Sequence, residues 1–559
     1  MGTHAGPEHS PVPPVSFRQV LARLSLFLRL ERRVLGLLLS YALAIGLFSL
    51  IVPLTVQELV NTFAFAIQPI MIVTLTVIMV VTLLFVGAFR AFQFYAVEML
   101  ERRIFSRVAV AFAQHMPRFR YQVFRPKYAN YFIEAVLMQR AVSVFIVDLI
   151  NVVVGGIVGM SILVFYHPYF LAYNALLVSG FAAVVLLFSH GGLRSTLRMS
   201  EAKYDTLHWM QEISYNLLHF KSTNSMPLLL QKTDALVDDY QSARKSRFQV
   251  LMQQFLGSVA WQALAHGGLI GTAGWLVVMG QLTIGQLVAA EVIVSTVLLK
   301  FDAVVKRMGY IFYFFTSLTE LDQVFSLPKD AAIHAPAVRL PDPTVHGVRL
   351  TCKDVAFAYP EAPPVFEGFN LEVAPGEKVA IFTSTSVGKT TLARVLAGLD
   401  LPTSGVIRYN GVDLRDLEME SLNACRGLVL DSLLTLFDGT LEENITLGRP
   451  SISYADVLWA LRFAELEEEV DALPLGLRTP VKAKGRTFTT SQILRILVAR
   501  AIVTHPQVII FDGTLHAMAP HMRDTILRRL CAKEEPWSII FVSNDPSLQA
   551  IVDRRVSLA

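Results

Sequence analysis

T-S-T-S-V-G-K-T, Thr383 to Thr390, is the stretch on which the reading of this chain turns. A Pro375-Gly376 turn and a short apolar run, Lys378 to Phe382, precede it. A helix-forming run, Thr391 to Ala397, follows. Strand, loop, helix is the setting of the phosphate loop G-x-x-x-x-G-K-[ST]. There the backbone N–H groups and the helix N-terminus face phosphate oxygens. Lys389 is placed to reach terminal phosphates and the Thr390 hydroxyl to bind Mg²⁺. Thr383, Ser386, Gly388 and Thr391 complete the expected cradle. Thr383 stands where the motif has its first glycine. Ser386 and Val387 also carry side chains where glycine's freedom at positive φ is favoured.

Working outward, the next signal is V-I-I-F-D, Val508 to Asp512, a buried-strand pattern ending in an acid. Such an acid holds the Mg²⁺ shell in phosphate-loop enzymes, so Asp512 joins Thr390 as a candidate metal-binding residue. One strand of this kind is ordinarily plain core. A phosphate loop and such a strand roughly 120 residues apart in one α/β segment are a much rarer coincidence.

The N-terminal part has a different texture. Of 559 residues, 53% are hydrophobic and 17% charged, against about 25% charged in typical soluble domains. Global disorder is excluded by that apolar content, and the charge deficit predicts membrane spans. A net charge of +4 is too small for a nucleic-acid partner. The 3 cysteines, Cys352, Cys425 and Cys531, have no metal-type spacing and suit a reducing compartment.

The apolar mass falls into six runs: 34–57, 70–89, 148–166, 169–189, about 250–280 and about 284–299. Short loops without Lys or Arg alternate with two long basic ones. The first long loop carries Arg102, Arg103, Arg107, Arg118, Arg120, Arg125, Lys127 and Arg140. By the positive-inside bias the long loops and both termini are cytoplasmic. Both loops keep a helical pattern and turn near 118–131 and 208–222, with Pro117 and Pro126 at the first turn. Residues 1–16 read as a disordered tail, and 17–33 as an amphipathic helix on the membrane surface. Among acids near the spans, Glu58 and Asp148 suit the interface. Glu291 is a candidate for a cavity, with a place near the outer interface as the alternative.

In the order of its pieces the chain resembles an ATP-binding cassette (ABC) exporter half-transporter of the six-helix type. The resemblance covers nearly its whole length. V-A-F-A-Y-P, Val355 to Pro360, looks like the family's aromatic-loop strand, with Tyr359 placed to stack on adenine. L-F-D-G-T-L-E-E-N-I-T-L-G, Leu436 to Gly448, and L-T-I-G-Q-L-V-A-A, Leu282 to Ala290, are close to further family patterns. The resemblance implies an α-helical polytopic membrane domain over 17–325, a linker over 326–346, and an α/β phosphate-loop NTPase domain over 347–559. It implies ATP with Mg²⁺ as cofactor and a multi-pass place in the cytoplasmic membrane. It also implies a dimer with a second half-transporter, a heterodimer before a homodimer, and a membrane-fusion adaptor as a further candidate partner.

The departures from the family pattern cluster at its catalytic positions. Gly513 follows Asp512 where the family has a water-polarising glutamate. Asn544 stands for the switch histidine, and Asp431 for the Mg²⁺-sensing glutamine. The signature L-S-G-G-Q reads F-T-T-S-Q, Phe488 to Gln492, keeping Thr489 and Gln492 as candidate nucleotide contacts. No catalytic residue is therefore expected intact, and hydrolysis at this chain's own site is expected to be absent or very weak. Two functions follow from different classes. One is the degenerate half of an ATP-driven exporter that depends on a partner. The alternative is a pseudo-ATPase membrane scaffold or regulator that does not itself transport.

Overall fold

A computed structural model describes residues 29, 31–65, 69–119, 127–329, 338–340, 347–360, 362–383, 388–430, 435–482, 487–513 and 518–558. The expected tail, most of the surface helix, Ser386 and Asp431 lie outside these residues. The chain divides into two compact units, with the break between Leu327 and Pro328.

The first unit is helical. Its principal helices are α1 (Arg32–Ser49), α2 (Ile51–Phe65), α3 (Pro69–His115), α4 (Ile133–Tyr166), α5 (Tyr169–Phe188), α6 (Gly192–Tyr215), α7 (Met226–Val278), α8 (Ile284–Lys306) and α9 (Met308–Phe325). The interruption at Leu50 has a local cause. Pro53 has no N–H to donate and its ring crowds the carbonyl of Ser49, four residues back. At 47 and 53 residues, α3 and α7 are about 70–80 Å long, more than twice a hydrocarbon layer. They continue far past the apolar runs, as the unbroken helical pattern of the basic loops predicted.

Among the described residues, four helical stretches are long and apolar enough to cross a membrane: Arg32–Thr62, Pro69–Arg118, Val147–Tyr166 and Tyr169–Phe188. The expected fifth and sixth spans are helical too, inside α7 and α8, but they fall outside that set. Gln262 and His266 interrupt the one, Glu291 and Lys300 the other. Two of these groups partner each other across the helices, and Gln262 donates to Ser258 of its own helix at 3.1 Å. His266 Nδ1 lies 2.8 Å from Glu291 Oε1, and Ser295 Oγ donates to the same oxygen at 3.1 Å. Between α3 and α4 the Gln93 and Asn151 amides exchange two hydrogen bonds at 3.0 and 3.2 Å. Asp148 pairs with Arg307, while Glu58 is exposed.

Close helix approach rests on small residues. A Cβ on Gly180 of α5 would fall 2.1 Å from the Trp261 ring of α7, and the Trp261 indole N–H donates to Leu177 O at 3.3 Å. Outward, the apolar side chains of α3, such as Ile70, Leu84 and Phe94, stay exposed. That is the reverse of a water-soluble bundle and suits a lipid solvent or a second chain.

The second unit is α/β. Five parallel strands form its central sheet in the order β11-β3-β10-β9-β6. They span Lys378–Thr383 (β3), Arg426–Val429 (β6), Val508–Asp512 (β9), Ser538–Val542 (β10) and Arg554–Leu558 (β11). Every residue of β9 and β10 is buried, as the uniform apolar runs require of a sheet covered on both faces. A second, antiparallel sheet sets β2 (Pro364–Val373), β1 (Leu350–Ala358), β4 (Ser404–Tyr409) and β5 (Val412–Asp413) side by side, and β7 (Gly439–Thr440) pairs with β8 (Pro480–Val481). Part of the expected linker belongs to this unit. Val338 bridges Leu417, and the Leu340 N–H donates to Ser421 Oγ at 2.9 Å. The reason is apolar: Leu340 is buried in the core under β1.

At the base of β3, Lys378 is buried with its ammonium shared among three carbonyls. Nζ donates to Gly376 O at 2.8 Å, Glu535 O at 3.0 Å and Trp537 O at 3.1 Å. Replacing it by methionine leaves those acceptors without their donor. Lys378→Met is expected to destabilise the second unit by about 1–3 kcal/mol, read as faster hydrogen exchange along β3 and β10 of the full-length protein.

Candidate functional site

The parallel register sets the site. Val542 pairs with Ile381 on one side and with Asp512 on the other, so these three residues stand abreast. The chain therefore leaves β3, β10 and β9 at one edge: into the phosphate loop, into Ser543-Asn544, and into Gly513. Crevices at the C-terminal edge of such sheets are where ligands bind.

After β3 comes α10 (Lys389–Leu396), which opens on Gly388. Gly388 has φ +92°, and a Cβ there would sit 3.0 Å from Val365 Cγ1. Both facts demand glycine. Among the described residues no side chain caps this helix. Its first N–H groups stay available for an external acceptor, and phosphate is the acceptor that a helix N-terminus favours. Lys389 and Thr390 occupy the first turn and are half-buried.

Tyr359 is tied to the same turn. Its hydroxyl lies 3.0 Å from Thr391 Oγ1, and its ring meets Phe357 edge-on, with centroids 5.1 Å apart at 90°. The structure thus brings Tyr359, Gly388, Lys389, Thr390 and Thr391 together. Asp512 ends β9 at 2% exposure, against which α10 packs. The donor set fits a magnesium nucleotide: an uncapped helix start, an ammonium, a hydroxyl and a carboxylate. Of Thr383, the backbone closes β3; Ser386 lies outside the described residues.

Beyond Asp512, Gly513 turns into the left-handed region at φ +54°, and nothing among the described residues comes within 4 Å of where a Cβ would stand. A small pocket at this place is lined by Phe511, Gly513, Leu527, Phe541, Ser543 and Asp545, among others. Asn544 is exposed beside it. Asp545 is held by Ser547, whose N–H donates to it at 2.9 Å and whose hydroxyl donates at 2.7 Å.

Thr489 and Gln492 form a different local structure. They make a capping box at the start of α11 (Thr490–Ile502): the Thr489 N–H donates to Gln492 Oε1 at 2.8 Å, and the Gln492 N–H returns to Thr489 Oγ1 at 3.3 Å. The Gln492 amide also donates to Glu469 at 2.7 Å, alongside Arg495 at 2.6 Å. Among the described residues no hydrogen bond joins this pair to the Lys389 turn.

Sequence reasoning missed the clamp that holds the Leu436–Gly448 segment. Arg500 Nε donates to Asn444 O at 2.6 Å and Nη2 to Asn444 Oδ1 at 3.1 Å. Asn444 in turn accepts from the Phe437 N–H at 3.0 Å. Burial first, and then Arg449 nearby, lowers the Arg500 guanidinium to about 10, which leaves it charged at neutral pH. The retained A-R-A of Ala499 to Ala501 was the available signal.

Residues 366–516 match the family model for the ABC transporter domain. A solved structure of a bacterial Atm1-family ABC exporter with ATP bound superposes with a TM-score of 0.83, covering 95% of this chain and 94% of that one at 19% identity. The chain is 29% identical over 299 residues to the mycobactin import ATP-binding/permease protein IrtB of Mycolicibacterium thermoresistibile, which is 53% of this chain and 51% of that protein. It is 30% identical over 280 residues to a fatty acid ABC transporter ATP-binding/permease protein of Mycobacterium bovis, covering 49% of this chain and 42% of that protein. The chain spans about half the length of the curated relatives it matches.

Gly388→Ala is expected to weaken binding of a fluorescent ATP analogue by roughly tenfold, through strain at positive φ and contact with Val365. Lys389→Ala is expected to weaken it by about 10- to 100-fold, through loss of a charged hydrogen bond. Equilibrium titration of the full-length protein checks both.

Proposed function

From an integral membrane chain in which a helical domain of ABC-exporter fold is fused to an ABC transporter nucleotide-binding domain, we propose a half-transporter that binds ATP but hydrolyses it weakly or not at all. It works as one half of a dimer in the cytoplasmic membrane. Both termini face the cytoplasm, and a second, competent half-transporter is the preferred partner over a second copy of this chain.

The observation that carries this reading is the edge of the parallel sheet. The binding groups are assembled there: the uncapped α10, Lys389, Thr390 and Asp512. Lys389 and the α10 N–H groups would hold phosphate, and Thr390 and Asp512 would hold the magnesium shell. Tyr359 borders the same turn. Magnesium nucleotide would supply the phosphate charge that these groups hold, and the chain's residues would orient it. At this edge the described residues in the positions that would align and activate water lack the groups to do so. Gly513 has no side chain, and Asn544 carries no positive charge. Phosphoryl transfer depends on positioning and charge stabilisation, so losing both groups costs several orders of magnitude in rate.

The capping box at Thr489 supports a residual role in the dimer. It keeps a formed helix N-terminus at the signature position, although Thr490 and Ser491 replace the family's glycines. A partner's nucleotide would still meet N–H groups there.

Purified alone in lipid nanodiscs, the protein is expected to bind ATP with Mg²⁺ and to show negligible turnover. Vigorous hydrolysis that Lys389→Ala abolishes would sink the proposal. The double variant Gly513→Glu, Asn544→His is expected to raise turnover by about tenfold or more. Among the described residues nothing lies within 4 Å of a Cβ at Gly513, and the left-handed backbone costs the new residue about 1–2 kcal/mol. Co-purification of a half-transporter with a glutamate after its strand acid supports the heterodimer, and a stable homodimer argues against it.

A further inference from the structure

The first unit buries two carboxylates side by side, away from its apolar spans. Glu134 opens α4 and Glu320 lies near the end of α9, at 0% and 2% exposure. Glu134 stands about 20 Å along α4 from the start of the span at Val147.

Their surroundings are unequal. Glu134 Oε1 accepts from Lys203 Nζ at 2.7 Å and from the Tyr204 hydroxyl at 2.5 Å, both on α6. Oε2 accepts from Ser317 Oγ of α9. A carboxylate offers about four lone-pair sites. Three are filled, and one remains on Oε2. Glu320 has nothing comparable. Among the described residues neither of its oxygens receives a hydrogen bond of normal geometry. Ser200 Oγ is near enough to favour the ionised form, but it too is left without a properly formed bond. Glu134 is a further neighbour, an acceptor facing an acceptor, and Lys203, Tyr131 and Tyr204 lie near enough to interact with the Glu320 charge.

We propose that Glu320 is a buried proton-binding site: a carboxylic acid whose O–H donates to the remaining lone pair of Glu134 Oε2. One proton cures both defects. It gives Glu320 a partner and removes a second negative charge from a pocket where Lys203 balances only one. A metal ion is a poorer occupant: Glu134 has one lone pair left to give it, and among the described residues no group of three or more His, Cys, Asp or Glu side chains could hold one. The charged surroundings agree. From α6, Lys203 favours ionisation of Glu320, while Glu201 and Asp205 add negative charge around Tyr131. Tyr131 and Tyr204 are pushed far up by burial and then by the glutamates, so both remain phenols. On α8, which also touches α9, Asp302 and Lys306 pair with each other at 2.7 Å. Against α4 from α1 and α3, Glu31 pairs with Arg107 and Arg103.

Burial first, and then Glu134, hold Glu320 well above its ordinary value of 4.5. The sign follows from linkage. A raised carboxyl contributes stability that is complete below about pH 4.5 and is lost as pH rises through the folded value. The proton thus fastens α9, the last helix before Leu327, to α4 and α6, and alkaline pH loosens that joint.

Infrared spectroscopy of the full-length protein in nanodiscs tests this. The expected result is a protonated-carboxyl stretch at about pH 7, sensitive to deuterium and absent from Glu320→Gln. Glu320→Gln keeps a donor without the titration, so its Tm is expected to lose roughly half or more of the wild-type fall between about pH 6 and pH 9. Glu134→Gln removes the like charge, and the midpoint of the carboxyl band is expected to move to lower pH; this holds as a test even where Glu320→Gln fails to fold. A wild-type protein without the band, a Tm profile unchanged in Glu320→Gln, or a midpoint unmoved in Glu134→Gln overturns the proposal.

Discussion

A parallel sheet sends all its strand ends to one edge, and the nucleotide-binding unit is organised by that constraint. The pairing of β10 between β3 and β9 sets Ile381, Val542 and Asp512 level. Everything chemical in the unit then follows from what each strand emits at that level. The strand β3 emits the phosphate loop and an uncapped helix. The strand β9 emits a carboxylate and then a glycine, and β10 emits an exposed asparagine. Had the register slipped by one residue, each side chain would have changed face.

The helical unit obeys a complementary rule. Its solvent on the outside is apolar, so polar groups are driven toward one another. Gln93 and Asn151, and His266 and Glu291, are cross-helix pairings of this kind, and outside the spans burial drives the Glu134 cluster together in the same way. Each ties two or three helices at a defined height. The same rule explains why α7 and α8 carry polar residues in stretches expected to span. The His266–Glu291 pair satisfies within the bundle what lipid could not.

Such pairs divide what was legible from what was not. The long apolar runs and the basic loops announced helices, their order and their extension beyond the spans. The phosphate loop and the V-I-I-F-D strand announced the sheet and its ligand edge. Lys389, Thr390 and Asp512 could be named because spacing along one chain carries their chemistry. The Arg500–Asn444 clamp and the Glu134–Glu320 contact could not, because their partners are 56 and more than 180 residues apart. Thr489 and Gln492 show a middle case. Their spacing of three is also that of a capping box, and locally the helix end claims both side chains.

By itself, then, the sequence determined the kinds of elements, their succession and the residue types at the nucleotide edge, since periodicity and motif spacing are local properties of the chain. Only the tertiary structure decided which buried charges meet. An acid reads the same in sequence whether it faces lysine, histidine or another acid. Its protonation and its role depend on that neighbour, and the neighbour is chosen by helix packing across long stretches of chain.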